Sequence, residues 1–229
     1  MSSALKVISS MATRQLLADL VALYRQTSTQ EVKLESVGGV DAAQRVRAGE
    51  AFDAVALAAD TIDQLIASGH IVAGSRVDLV RSGVAVAVRA GAPRPDIGSE
   101  EAVKRAVLAA RSLAYSTGPS GVQLAKLFER WGIAEIIRAR LVQAPPGVPV
   151  GSLVAEGKVD LGFQQLSELM NLPGIDIVGP LPQTIQIVTT FSAGLAATST
   201  RPEAVRTLFE FMRSPATLQA KHNNGMEPA

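Results

Sequence analysis

The chain of 229 residues is 47% apolar and 19% charged, a balance that suits a folded protein and excludes a disordered one. Only 4% of it is aromatic, so the core has to be built from aliphatic side chains, as in parallel sheets covered by helices. The net charge of +1, without any basic block, excludes nucleic acid as an expected partner, and the lack of cysteine excludes disulfides and thiolate chemistry.

Strand-like and helix-like segments alternate from the first residues onward. The predicted strands in this part of the chain are Leu5–Ser9, Val32–Ser36 and Ala54–Ala58. The predicted helices cover residues 11–27 and 41–48 and, from an N-cap at Asp60, the stretch that ends at Gly69. This order predicts a mostly parallel sheet with helices on both faces, in the α/β class.

Two long β-rich stretches, Val77–Val88 and Ile185–Ala197, bracket the middle of the chain. Between them we predict helices over residues 99–110, after Gly121 and after Gln165, and short strands at Ser112–Tyr115, Val159–Phe163 and Ile175–Val178. Two helices close the chain. If the long stretches cross between two lobes, the first lobe comprises residues 1–83 and 190–229 and the second, inserted lobe comprises residues 84–189.

The N-terminal residues do not form a secretory signal pattern, because Lys6 interrupts the short apolar run there. No later segment is long and apolar enough to span a bilayer. We therefore predict a cytoplasmic protein without membrane insertion. The protein would be periplasmic, with a permease as a partner, only if a signal peptide has been removed.

Small hydroxyl and glycine residues separate a strand from a helix at three places. A helix start offers unpaired backbone N–H groups and about half a positive charge, so it binds anions without many basic side chains. Helices often carry Asp or Glu in the first turn, yet the helix after Ser10 has none before Asp19 and the helix after Ser120 has none before Glu129. The candidate ligand-binding residues are Ser9, Ser10, Arg14, Gly39, Ser116, Thr117, Gly118, Ser120, Gly121, Gln164 and Gln165.

Several of these positions also have a purely structural interpretation. Ser10 and Ser120 can be ordinary N-caps, Arg14 can be a solvated side chain, and Asp41 can cap its own helix. In the functional interpretation, Arg14 holds a carboxylate through two parallel hydrogen bonds, and Gly39 brings backbone close to a ligand.

The sequence contains no nucleophile elbow, no phosphate-binding loop and no dinucleotide fingerprint. Its two histidines are too few and too far apart in sequence to indicate a metal site, so neither a metal nor a cofactor is predicted. A proton-transfer enzyme would need a base with a tuned pKa, and Tyr115, Asp41 and Glu168 lie near the candidate sites. Nothing in the sequence distinguishes these three, so the catalytic residue stays unassigned.

Four segments, Val7–Ala12, Phe52–Asp60, Ser116–Gly121 and Gly225–Pro228, resemble the molybdate-binding-protein-like branch of the type II periplasmic binding proteins. The resemblance covers nearly the whole chain. It implies two α/β lobes joined by two crossover strands, with an anion held between them by serine hydroxyls and backbone amides at helix starts. The matching positions are Ser10 in the first lobe and Ser116–Gly121 in the second.

Gln164 and Gln165 stand where this family places a tyrosine-containing contact, so the resemblance does not extend to molybdate itself. Together with Arg14, two adjacent amides favour a planar carboxylate over a tetrahedral oxyanion. Some members of the branch resemble aconitate isomerase, which interconverts cis- and trans-aconitate. The resemblance therefore leaves two hypotheses: an isomerase acting on a small unsaturated polycarboxylate, or a non-catalytic binding protein for an oxyanion or carboxylate, serving a transporter or acting as a cytoplasmic sensor.

Overall fold

The structure is a computed structural model that describes residues 4–229, so the first three residues of the predicted first lobe lie outside the described residues. The strands are β1 (Leu5–Ser10), β2 (Val32–Val37), β3 (Ala54–Ala58), β4 (Val77–Arg89), β5 (Leu113–Tyr115), β6 (Leu141–Gln143), β7 (Leu161–Gln165), β8 (Ile175–Pro180), β9 (Val188–Leu195) and β10 (Glu227–Pro228). The helices are α1 (Arg14–Thr27), α2 (Gly39–Arg47), α3 (Ala59–Ala67), α4 (Glu100–Ala109), α5 (Pro119–Arg130), α6 (Ala134–Ile137), α7 (Val150–Ala155), α8 (Leu166–Leu169), α9 (Pro202–Arg213) and α10 (Leu218–Asn223).

The described chain divides into two compact units, which separate between Arg81 and Ser82 and again between Thr189 and Thr190. The first division falls within β4 and the second within β9, the two long β-rich stretches of the sequence. The first unit is therefore assembled from both ends of the chain, and the second unit is inserted between them.

In the first unit β1 pairs in parallel with β2 on one side and with β3 on the other, and β9 runs antiparallel to β3. Alternate residues of β1 and β3 belong to two separate apolar clusters, as expected of strands buried on both faces. One cluster contains α1, α9 and α10, and the other contains α2 and α3. Because β1 and β2 are parallel, their carboxyl ends, Ser10 and Val37, lie at the same edge of the sheet.

In the second unit β5 pairs in parallel with β6 and β7, while β4 runs antiparallel to β7 and β8. A cluster with α4, α5 and α6 covers one face of these strands, and a smaller cluster with α7 lies around Ala114 and Val159. The carboxyl ends of β5 and β7 meet at one edge, because Tyr115 is the register partner of Phe163. The loop before α5 and the residues after Phe163 are thereby placed at that edge.

Several predicted boundaries differ from the observed ones. The helices α2 and α3 begin at Gly39 and Ala59, so Asp41 and Asp60 lie in a first turn and are not N-caps. The helix α5 begins at Pro119, where the fixed φ of proline suits a first helical position. Strand β7 extends to Gln165, so both glutamines belong to the strand and do not follow it. The short elements α6, β6, α7 and β10 are not predicted from the sequence, because their few residues carry too little periodicity.

None of the helices within residues 4–229 has the length and the apolar character that crossing a bilayer requires.

Candidate functional site

The first unit gathers buried hydroxyl groups where β1 ends. Ser9 and Ser36 are register partners on β1 and β2, and their Oγ atoms lie 2.7 Å apart. The Thr13 hydroxyl donates to the Ser10 carbonyl oxygen at 3.2 Å and lies 3.5 Å from Ser10 Oγ. Thr13, which the sequence analysis did not include among the candidates, therefore fixes the turn in which Ser10 lies.

The helical segment after Ser10 starts as a 3-10 turn over residues 11–13 and continues as α1. No side chain caps either of these starts, and neither first turn contains an acidic residue. Ser10 is therefore not an N-cap in the hydrogen-bonding sense, which removes the ordinary structural interpretation of this residue. The start keeps unpaired N–H groups and the positive end of the helix dipole.

A second helix start lies beside the first. A Cβ atom built on Gly39, the first residue of α2, would be 3.6 Å from the Ser10 Cβ atom. The α2 start differs from that of α1 because Asp41 occupies its first turn and offsets part of the dipole. Of these two starts, the one after Ser10 is the more suitable for an external anion.

Arg14 is the first residue of α1, and its side chain is exposed. No acidic side chain within residues 4–229 forms an ion pair with it. The guanidinium charge is therefore not neutralised at the helix start, where it adds to the dipole. The structure is compatible both with a solvated Arg14 and with the predicted carboxylate contact.

In the second unit the loop after β5 leads into α5, whose N-cap is Gly118. The first turn of α5 contains no acidic residue, and no side chain caps it. Ser120 is buried within this first turn, so the N-cap interpretation of Ser120 is wrong. Ser116, Thr117 and Gly118 are half-buried and form the chain that approaches this start.

Gly121 fixes the path of that loop. A Cβ atom at Gly121 would lie 1.8 Å from the Ser116 carbonyl oxygen and 3.0 Å from Cδ2 of Tyr115. No side chain larger than hydrogen fits between the loop and the helix, so the loop packs directly on the first turn of α5. This close approach holds the loop backbone against the unneutralised helix start.

The two glutamines at the end of β7 are almost completely buried but do not act as a side-by-side pair. Adjacent residues of a strand point to opposite faces. Gln165 Nε2 donates to Thr189 Oγ1 at 2.7 Å, while its Oε1 atom is buried without a partner in the described part of the chain. Gln164 instead contacts Gly151 and Glu168. The predicted joint contact of both amides with one carboxylate therefore lacks the geometry it needs.

Gln164 links the start of α7 to Glu168. The Gly151 N–H group donates to Gln164 Oε1 at 3.3 Å, and Gln164 Nε2 donates to Glu168 Oε1 at 2.9 Å. Both bonds require the same orientation of the amide, so they fix its flip state. Glu168 is thus held through one oxygen by a buried amide that is itself held by the backbone.

The surroundings of Glu168 disfavour its charged form. Burial raises the pKa of Glu168 to about 7, against the smaller opposing effect of the hydrogen bond from Gln164. No basic side chain forms an ion pair with it within residues 4–229. The residue as a whole is nevertheless half-buried and not fully enclosed. Among the three possible bases of the sequence analysis, the structure distinguishes this one.

No group of three or more histidine, aspartate or glutamate side chains within residues 4–229 is arranged to hold a metal ion.

Comparison with known proteins places the chain in a wider group. A family model described as bacterial extracellular solute-binding protein matches residues 5–227. An aconitate isomerase from a Pseudomonas species is 42% identical over 187 residues, which cover 80% of this chain and 70% of that protein.

Solved structures share the fold at low identity. The periplasmic molybdate-binding protein of Azotobacter vinelandii aligns with a TM-score of 0.81 at 19% identity, over 98% of this chain and 99% of that chain. The sulfate-binding protein of Mycobacterium tuberculosis aligns with a TM-score of 0.77 at 15% identity, over 100% of this chain and 88% of that chain. These similarities confirm the predicted type II periplasmic-binding-protein fold.

Proposed function

Because the chain belongs to the bacterial extracellular solute-binding protein family, we propose that it binds a small carboxylate anion and isomerises an unsaturated polycarboxylate by moving its double bond. The helix starts after Ser10 and at Pro119 carry the anion-binding part of this proposal. Each presents backbone N–H groups, and neither has an acidic residue or a side-chain cap. Each start has the chemistry to hold a carboxylate group.

The choice of a polycarboxylate is supported by the aconitate isomerase that is 42% identical to this chain. The positive charge of Arg14 at the α1 start suits an anion that carries more than one negative charge. Moving a double bond along a carboxylate-substituted carbon chain requires only proton transfers. A carboxyl group with a suitable pKa can carry out such transfers.

Incubation with cis-aconitate tests this proposal. We expect proton NMR to show conversion to trans-aconitate at a rate proportional to enzyme concentration, without any added cofactor or metal. A control with heat-denatured protein gives the background rate. An unchanged spectrum, at protein concentrations where calorimetry shows bound aconitate, would contradict the enzymatic part of the proposal.

The second candidate is a solute-binding protein without catalytic activity, a possibility favoured by the fold shared with the molybdate-binding protein. Isothermal titration with molybdate, tungstate, sulfate and a panel of carboxylates separates the two candidates. We expect binding of di- and tricarboxylates and weak or no binding of the tetrahedral oxyanions. Tight molybdate binding would favour the second candidate and contradict the first.

Arg14→Ala tests the carboxylate contact at the α1 start. We expect weaker aconitate binding by about 1.5–3 kcal/mol, the range for a hydrogen bond to a charged group, measured by calorimetry. Arg25→Ala is the control. Arg25 lies in the last turn of the same helix, and its substitution removes the same charge far from the helix start. Equal affinity of wild type and Arg14→Ala for every anion tested would make Arg14 a surface residue only.

A further inference from the structure

Glu168, on the short helix α8 that follows β7, carries a carboxyl group that has no part in binding anions at the helix starts. Glu168 is fixed through Oε1 by Gln164 at 2.9 Å, while its Oε2 atom has no hydrogen-bond partner in the described part of the chain. Gln164 is 2% exposed, and the Gly151 N–H group holds its other end. One oxygen of Glu168 is thus positioned by a rigid network, and the other is left available.

The structural alternative for an acidic residue in a first helical turn is capping. A capping glutamate at the third helical position reaches back to the N-cap N–H group. Glu168 occupies that position of α8, yet no side-chain cap is formed there, and its carboxyl group contacts the side chain of Gln164. Capping therefore does not explain why this carboxyl group is kept in a desolvated place.

Strand register places Glu168 at the same edge as the anion-binding start of α5. The parallel partners Tyr115 and Phe163 end β5 and precede the glutamines of β7, and α5 packs against β7. The loop that leads to Gly121 follows Tyr115, and α8 follows Gln165 directly. The α5 start and Glu168 therefore lie at the same edge of the sheet, with α5 packed on the Phe163 face of β7 and Gln164 on the α7 face.

We propose that Glu168 is the catalytic base of the double-bond shift, a proposal that deepens the proposed function and rests on it. The free Glu168 oxygen removes a proton from the methylene carbon next to the double bond. The electrons of that C–H bond form the new double bond, and the electrons of the old double bond move to its far carbon. That carbon takes a proton back from Glu168, either the same proton or one exchanged with water, and the carboxylate is regenerated, so no oxidant, reductant or co-reactant is consumed.

The charges around Glu168 suit a base that works near neutral pH. The elements packed against α8 are β7 and α7, neither of which has a charged residue, and β8 and β4. Asp176 on β8 forms an ion pair with Arg94, with Oδ2 and Nη2 3.5 Å apart. The charge of Arg89 on β4 acts on Asp160, whose pKa it lowers. Neither contributes to the pKa of Glu168, which burial raises to about 7. At that pKa the carboxylate is available at neutral pH and basic enough to accept a proton.

Glu168→Gln tests the proposal, since the new amide oxygen can still accept the bond from Gln164. The substrate is cis-aconitate in D₂O, and proton NMR follows both isomerisation and exchange of the methylene protons. We expect a loss of about 10²–10⁴-fold in both rates. Calorimetry with trans-aconitate should show a Kd within about tenfold of wild type, and that retained binding shows that the variant is folded.

Two further variants sharpen the result. Glu156→Gln makes the same change at an exposed glutamate paired with Lys158, and we expect wild-type rates. Glu168→Asp keeps a carboxylate on a shorter side chain, and we expect partial activity whose rise with pH has a midpoint shifted from that of wild type. If Glu168→Gln fails to fold, the rate and pH profile of Glu168→Asp decide, because a structural role would not move the pH profile.

These measurements distinguish a wrong assignment of Glu168 from a wrong proposed function. If wild type is active and Glu168→Gln is within about threefold of it, the assignment of Glu168 is overturned while the proposed function stands. If wild type binds aconitate but neither isomerises it nor exchanges its protons, the proposed function fails and the assignment fails with it.

Discussion

We expect Gly121→Ala to lower the free energy of unfolding of the second unit by about 3 kcal/mol and to abolish measurable carboxylate binding. The added Cβ atom would lie 1.8 Å from the Ser116 carbonyl oxygen, which is backbone and cannot rotate away. Either the loop from Ser116 moves off the first turn of α5 or the helix shifts. Overpacking of this kind costs about 1–3 kcal/mol in a well-packed core, and a backbone contact this close belongs at the upper end of the range.

The measurement is urea unfolding followed by tryptophan fluorescence. Trp131 is the only tryptophan of the chain, and it follows the last residue of α5 directly. Its Nε1 donates to Glu100 Oε1 at 2.6 Å, so its signal reports on the packing of the second unit. Aconitate affinity, measured by calorimetry on the same samples, gives the second readout.

Gly118→Ala is the matched control. Gly118 lies on the same loop with an extended backbone, and the nearest atom to an added Cβ would be Ser116 Oγ at 3.8 Å. We expect a loss below about 1 kcal/mol, since alanine is a poorer N-cap than glycine. Equal effects of the two substitutions would show that the close approach at Gly121 does not hold the loop in place.

The order of the longer strands and helices was predictable from the sequence because local chemistry determines it. The aliphatic run Ala54–Ala58 becomes a strand that is buried on both faces, and the apolar spacing from Leu16 to Tyr24 becomes the buried face of α1. The predicted α/β class is confirmed for the same reason. The helix starts were less predictable. Gly38 and Ala58 are the observed N-caps and make no side-chain cap, although the sequence pattern favoured Asp41 and Asp60 for this role.

The candidate site was predictable only where it depends on residues close together in the chain. The lack of acidic residues in the turns that follow Ser10 and Ser120 is visible in the sequence, and the structure shows both starts without a cap. The hydrogen bonds from Gly151 through Gln164 to Glu168 join α7 to β7 and α8, and the sequence does not show α7 to be their neighbour. The four-residue spacing of Gln164 and Glu168 was the one signal available, and it is no stronger than for any polar pair near a short helix.

The stability of the second unit should fall between about pH 4.5 and pH 7 because of Glu168. Its folded-state pKa of about 7 lies above the ordinary value of 4.5, so the folded chain binds this proton more tightly than the unfolded chain does. The stabilisation is therefore fully present below pH 4.5 and is lost as the pH rises through about 7. The shift corresponds to about 3 kcal/mol at most, and the partial exposure of the side chain reduces it.

Comparison with Glu168→Gln isolates this effect, because all other titrating groups are shared by the two proteins. We expect nearly equal unfolding free energies at pH 4.5 and a Glu168→Gln variant more stable by about 2 kcal/mol at pH 8, both from urea unfolding monitored by Trp131 fluorescence. Glu156→Gln should follow wild type at both pH values, since its carboxyl group is exposed. A difference that stays constant from pH 4.5 to pH 8 would mean that Glu168 titrates like a solvated glutamate. In that case the Glu168 carboxylate would not be desolvated in the folded protein, and the raised pKa expected of a base at this position would be absent.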